Sequence, residues 1–250
     1  MLDKINRSFQ VIKLTRKYFR ANQVPGDSCM YYINGVPRTI GGSHALSMLI
    51  DIVSNDAYGL KRFKVLDNIV DIGANIGIFS LLASTLFPKA RILSYEPGYE
   101  SRLFLEKNVA GLNVEVFPQA VSNTTGTTLL NNPGDITACY ISLEEDVSHL
   151  SSGNQECKLT TLDDVAHKLN RTNKISLLKL DCEGSEYEIM QASSLDSFTY
   201  IVGELHTCKS GHPELGLQTL KSRGFNIDRW FPFSDGKAGV FWAKNSQYAN

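Results

Sequence analysis

The run Asp71-Ile72-Gly73-Ala74-Asn75-Ile76-Gly77 sets an acid, an amide and two glycines at the end of an apolar stretch. Glycines at such a point let main chain approach a ligand closely, and a helix that follows offers free N–H groups. The spacing is Gly-x-x-x-Gly, without the middle glycine of a dinucleotide fingerprint and without the lysine of a phosphate loop. Asp71 would repel a pyrophosphate there but accept from an ammonium group. Glu96 ends the next apolar run, 23 residues after Gly73, where a carboxylate takes both hydroxyls of a ribose. An amino-acid group held by Asp71, on a turn shaped by Gly73, Asn75 and Gly77, and a ribose held by Glu96 together describe S-adenosylmethionine.

Downstream, Asp181 and Glu183 follow the apolar run 175–180, and Glu204 and His206 close the run 200–205. Open α/β sheets gather ligands at such strand ends. Methyl transfer to a hydroxyl needs alignment and a proton acceptor, the latter worth about 10²–10⁴-fold. His206 suits proton abstraction near neutrality, with Asp181 and Glu183 as the other catalytic candidates. Asp181 could instead face the cofactor's amino group. Lys179 and Asp181 share strand parity and point to one face, Glu183 continuing it if the strand extends. Asp181, Glu183, Glu204 and His206 could also ligate Mg²⁺. Acids at strand ends are commonly salt-bridged, however, and Lys179 is the evident partner, so no metal is assigned. Cys182 lies between two acids, which disfavours a thiolate nucleophile. His44 and Tyr31-Tyr32 either line an acceptor pocket or pack the N-terminal segment on the body.

Positioning these groups requires regular elements. Strands are expected at Val65–Ile72, Arg91–Tyr95, Val114–Val121, Ile175–Leu180 and Tyr200–Leu205. Helices are expected at Ile76–Leu86, Glu100–Ala110 and from Pro213 to before Gly224. A capping box at Ser185 and Glu188 suggests another, running to about Ala192. The alternation signals right-handed βαβ units and a mainly parallel sheet. Phe225–Phe231 and Gly239–Ala243 read as an antiparallel hairpin at its edge. Residues 122–174 break the rhythm, with strands near Ala138–Leu143 and Glu156–Leu159 and a helix at Leu162–Leu169, and read as an insertion covering the site. Ahead of the sheet, Tyr31–Arg38 reads as a hairpin around Asn34-Gly35, followed by a helix from Ser43 to about Asp51. Residues 1–21 form a basic amphipathic helix that packs on the body or docks on a membrane or partner. Two parts follow: 1–64 as an N-terminal segment and 65–250 as the main domain.

Composition agrees. The 250 residues carry 42% hydrophobic and 20% charged side chains, which is globular usage. Twenty-five basic against 26 acidic residues give a net charge of −1, no field for a nucleic acid. Five scattered cysteines without C-x-x-C spacing argue against a disulfide framework or structural zinc and fit a reducing cytoplasm. No secretory run opens the sequence, and Asp71 and Asn75 interrupt the most apolar window, Ile69 to Phe87.

The successive blocks Val70–Gly77, Tyr95-Glu96-Pro97, Ala120-Val121-Ser122, Thr161–Asp164 and Leu178–Glu186 resemble, in order, the motifs of FkbM-type methyltransferases. Lys179-x-Asp181-x-Glu183-Gly184 is the most specific block, and the likeness covers about residues 65–206. The resemblance implies a class I methyltransferase (Rossmann-like) α/β fold with sheet order 3-2-1-4-5-7-6 and helices on both faces. It also implies O-methylation of a sugar-containing or other small hydroxylated metabolite, with Gln119 and Ala120 near the adenine. An NAD-type oxidoreductase on the same fold and a non-catalytic cofactor-binding module are the rival readings.

Overall fold

The computed structural model describes residues 28–33, 36–42, 44–131, 140–142, 155–169 and 174–248. The basic segment 1–21, the Asn34-Gly35 pair and the Tyr31 and Tyr32 side chains lie outside these. Strands β1 (Ser28–Ile33) and β2 (Val36–Gly41) pair antiparallel with Ile33 opposite Val36, the register of a two-residue connection. Helix α1 (Ala45–Met48) continues as a π-helical stretch, Leu49–Ser54, beyond the Asp51 end expected from sequence.

The βα alternation then begins. Strand β3 (Asn68–Ile72) leads into α2 (Ile78–Leu86), β4 (Arg91–Tyr95), α3 (Tyr99–Asn108) and β5 (Val114–Phe117). β3 starts three residues later than Val65, which is 56% exposed and so outside the sheet. The single strand expected over Val114–Val121 is two. Pro118 has no N–H to continue a ladder, and after it β6 (Gln119–Ser122) joins a different sheet. There β7 (Gly126–Asn131), β8 (Tyr140–Ser142) and β9 (Gln155–Thr161) complete four strands in the order β6-β9-β7-β8. The described residues of 122–174 thus contribute strands to a small sheet, followed by a helix, and β7 had no counterpart in the sequence reading.

Helix α4 (Leu162–His167) opens on a capping box between Thr161 and Asp164. Strand β10 (Ser176–Leu180), short helix α5 (Glu186–Ile189), β11 (Tyr200–His206), α6 (Pro213–Ser222), β12 (Phe225–Pro232) and β13 (Ala238–Asn245) finish the chain. No capping bond from Ser185 forms at α5, and it is Glu186 rather than Glu188 that reaches back to main-chain N–H groups, those of Cys182 and Gly184. The main sheet runs β12-β13-β11-β10-β3-β4-β5. Its pairs from β5 to β11 are parallel, and β13 is antiparallel to both neighbours.

Burial on both faces follows from strand alternation. Ile69 of β3 and Leu177 of β10 pack with Phe79 of α2 and with Leu49, Ile52, Tyr58 and Leu60 from the segment before the sheet. Val70, Ile72, Leu178 and Leu180 face the opposite core, with Leu162, Ile189 and Leu220 from α4, α5 and α6. The Trp242 indole N–H donates to the Ala57 carbonyl at 2.8 Å, tying that leading segment to β13. Asp71 and Lys179 belong to the first of these faces, and their burial there governs the site.

Candidate active site

A cavity of about 750 Å³, counting its open mouth, lies at the carboxyl ends of β3, β4 and β10. Gly73, Asn75, Glu96, Gln119, Ala120, Asp181 and Glu183 all line it. Four separate stretches of sequence therefore meet at one space. Asp71, Gly77 and His206, expected there from sequence, are not among its lining residues.

Asp71 lies behind the cavity wall rather than on it. It is fully buried, with Lys179 Nζ 3.2 Å from Oδ1 and the Ser80 hydroxyl donating to Oδ2 at 2.6 Å. The ammonium it holds is the chain's own. Parallel pairing sets Lys179 directly opposite Asp71 in the neighbouring strand, which brings the two together. Gly77 caps α2 with a φ of 87°, and a Cβ there would meet Leu105 of α3 at 2.5 Å. Its absent side chain serves helix packing rather than the cavity. Gly73 has a φ of 76°, and an added Cβ would overlap the Asp181 carbonyl oxygen. Beyond opening the cavity, this glycine lets two strand ends touch.

Glu96 sits at the cavity wall with both oxygens engaged from behind. Oε2 accepts from Asn75 N at 2.7 Å and Oε1 from Gly98 N at 2.8 Å. Burial pushes its pKa up to about 7, although these two N–H groups and Lys179 pull the other way. Asn75 itself is left-handed, with a φ of 50°, and its Oδ1 accepts from Ile76 N at 2.7 Å. Asp181 Oδ2 accepts from the Tyr58 hydroxyl at 2.7 Å and lies 3.5 Å from Lys179 Nζ. Burial would raise its pKa, but Lys179, His206 and the Tyr58 hydrogen bond together hold it below the ordinary value. Burial and the neighbouring Glu186 and Asp181 push the Cys182 thiol well up, so it is no nucleophile.

His206 stands behind these acids in a nest of carboxylates. Nδ1 is 3.1 Å from Glu186 Oε1, and Nε2 is 3.0 Å from Glu204 Oε1 and 3.6 Å from Glu183 Oε2. Burial favours the neutral ring, yet the Glu186 and Glu204 contacts outweigh it and raise the pKa to about 11. The ring is an imidazolium near neutrality, with no lone pair to take a proton. The base expected at His206 from sequence thus meets a carboxylate at each ring nitrogen. Glu183 is the opposite case: burial lifts its pKa to about 7 despite the nearby imidazolium. It lines the cavity and its side chain is 36% exposed. Asp181, Glu204 and His206 present ligand atoms within 4.8 Å of one another, a spacing that suits a cation, and the imidazolium supplies positive charge at that spot.

Two site residues had no assigned role in the sequence reading. Tyr58 precedes the motif region by more than a strand's length and carries no local signal. Glu186 is fully buried and receives N–H groups from Cys182 and Gly184 at 3.0 and 2.8 Å, fixing the turn after β10. Its signal was the acid two residues past Gly184, which a helix-capping reading passed over. His44, suggested for an acceptor pocket, is exposed and is not among the cavity's lining residues.

Residues 71–227 match the methyltransferase FkbM domain family. Methyltransferase sdnD of Sordaria araneosa is 27% identical over 219 residues, covering 73% of this chain and 84% of that protein. The AMB antimetabolite synthetase AmbE of Pseudomonas aeruginosa is 28% identical over 201 residues, covering 64% of this chain but only 9% of its own length. Among solved structures, fibrillarin of Aeropyrum pernix with natively bound S-adenosyl-L-methionine aligns at a TM-score of 0.48. It is 13% identical, over 89% of this chain and 84% of that one. No helix among the described residues is long and apolar enough to cross a membrane. With more than half its length matched, and four of the five motif blocks meeting at one cavity, the chain belongs to the FkbM methyltransferase domain family.

Proposed function

We propose that the protein is an S-adenosylmethionine-dependent O-methyltransferase acting on a hydroxyl of a sugar-containing or other small metabolite. The observation that carries this is the meeting of the Gly73 turn, Glu96, Gln119-Ala120 and the Asp181–Glu183 pair around one cavity. The chemistry of that donor set fits the cofactor. Glu96 offers its free lone pairs to ribose hydroxyls. Asp181 keeps an oxygen that Tyr58 does not occupy, suited to an ammonium group in place of Asp71. Gln119 and Ala120 form the wall suited to an adenine, and the bare Gly73 leaves main chain exposed to the amino-acid end.

When bound, S-adenosylmethionine supplies an electrophilic methyl group. The chain's task is to orient the acceptor hydroxyl and receive its proton. Glu183 takes that role, with a pKa of about 7 and a place on the cavity wall. The His206 imidazolium beside it stabilises the carboxylate before transfer. As the hydroxyl oxygen gains a methyl group, its proton passes to a Glu183 oxygen. Relatives named as a methyltransferase and an antimetabolite synthetase support a setting of small-molecule biosynthesis.

The test pairs calorimetry with turnover. Titration with S-adenosylhomocysteine should show one site per chain, and incubation with labelled cofactor and a panel of hydroxylated acceptors should yield a labelled ether. Binding without transfer to any acceptor would favour the non-catalytic module. Tight NADH binding with none of the nucleoside would favour the oxidoreductase.

A further inference from the structure

We propose that Lys179 is a positioning residue, whose buried ammonium locks the Gly73 turn and Asp181 into one surface for the cofactor's amino-acid end. This rests on the methyltransferase reading above and adds a residue to it. Lys179 lies in the central strand of the sheet, 3% exposed, where a lysine is costly unless fully satisfied. Its shortest polar contact is the Gly73 carbonyl, at 2.6 Å. The Ile72 carbonyl lies at 3.4 Å, Asp71 Oδ1 at 3.2 Å and Asp181 Oδ2 at 3.5 Å. The rings of Tyr58 and Phe79 flank it, with centroids at 5.6 and 5.9 Å.

A purely structural ion pair would need Asp71 alone. Here the ammonium reaches past Asp71 to the glycine that bends over the cavity and to the acid facing it. Asp71 in turn is held on its other oxygen by Ser80, whose hydroxyl is 2.6 Å from that of Ser94. The succession Ser94, Ser80, Asp71, Lys179 thus runs from inside the sheet to the cavity, and only its last member touches the cavity wall. The Lys179 ammonium, donating to the Ile72 and Gly73 carbonyls and paired with the Asp71 and Asp181 carboxylates, braces the β3 and β10 ends beyond their last main-chain bond, from Asp181 N to the Ile72 carbonyl at 3.2 Å.

The decisive variant removes both buried charges, Asp71→Asn with Lys179→Met, because replacing the lysine alone would leave the fully buried Asp71 carboxylate without its partner. Calorimetry with S-adenosylhomocysteine on the folded double variant should show affinity lower by tenfold or more, with the thermal midpoint near the parent's. The KM for the methyl donor should rise while that for the acceptor stays within about twofold. Asp71→Asn alone, which leaves Lys179 its carbonyls and Asp181, is the second variant and should bind within about threefold of the parent. Parental affinity in the double variant overturns the proposal. So does a loss of tenfold or more in Asp71→Asn, whether or not the double variant folds. A parent chain that binds no nucleoside ends the methyltransferase reading itself, which is a separate and distinguishable failure.

Discussion

His206 carries a carboxylate against each ring nitrogen, which is why Glu183 is the proposed acceptor of the substrate's proton. Glu183→Gln should lower turnover by about 10²–10⁴-fold while nucleoside affinity measured by calorimetry stays put. Turnover in the parent should rise with pH through about 7, as Glu183 loses its proton, and hold its plateau well past pH 9 because the imidazolium persists to about 11. His206→Gln should move the rising limb to higher pH, since the charge that favours ionised Glu183 is gone. A limb that stays in place would mean that ionisation of Glu183 does not set it. Dialysis against a chelator should leave turnover unchanged, the imidazolium already supplying the positive charge; a loss restored by Mg²⁺ would place a cation among Asp181, Glu204 and His206. The identities of these acids were legible because strand ends announce themselves in sequence. Their partnerships were not, since Tyr58 reaches Asp181 across 123 residues and strand pairing alone decides that Asp71 meets Lys179.

Elements show where local pattern suffices and where it misleads. β4 and α2 end where their apolar runs end, because Pro88 and the strand-closing Glu96 punctuate them. β5 and β6 look like one strand in sequence, because apolar residues continue across Pro118 and only the missing N–H separates two ladders. β7, with Thr127 and Thr128 flanked by glycine and asparagine, lacks the apolar alternation that reveals a strand, and β9 supplies its pairing from 25 or more residues away. The turn between β3 and α2 carries the sharpest element-scale prediction. Gly73→Ala combines a left-handed φ with an overlap against the Asp181 carbonyl, so it should destabilise by more than the about 1–3 kcal/mol of backbone strain alone. Gly126→Ala, with a φ of 136° and nothing within 4 Å of the added carbon, should suffer the strain only. Thermal melts of the two variants would separate overlap from strain. Gly73 substitutions therefore report on folding as well as binding.

Across the whole molecule, the site groups weaken stability as pH rises. Glu96 and Glu183 have folded pKa values of about 7 against an ordinary 4.5, and His206 about 11 against 6.5. Each is raised, so its stabilising contribution is complete below the ordinary value and is lost as pH climbs through the folded one. Asp181 is lowered and acts oppositely, its contribution being lost on acidification. The thermal midpoint should accordingly be higher near pH 5.5 than at pH 8.5, each kcal/mol being worth about 2–4 °C in a chain of this size. His206→Gln should flatten the decline between pH 7 and 9, and an undiminished slope would mean that other groups set it. The alternating core was readable as a pattern, while the second sheet was not, being assembled from strands whose partners are distant. That second sheet contributes Gln119, Ala120 and Leu130 to the cavity yet, among the described residues, shares no ladder with the seven-stranded one. Evolution could thus refit one jaw of the clamp for a new guest while the hinge and the opposing jaw stay untouched.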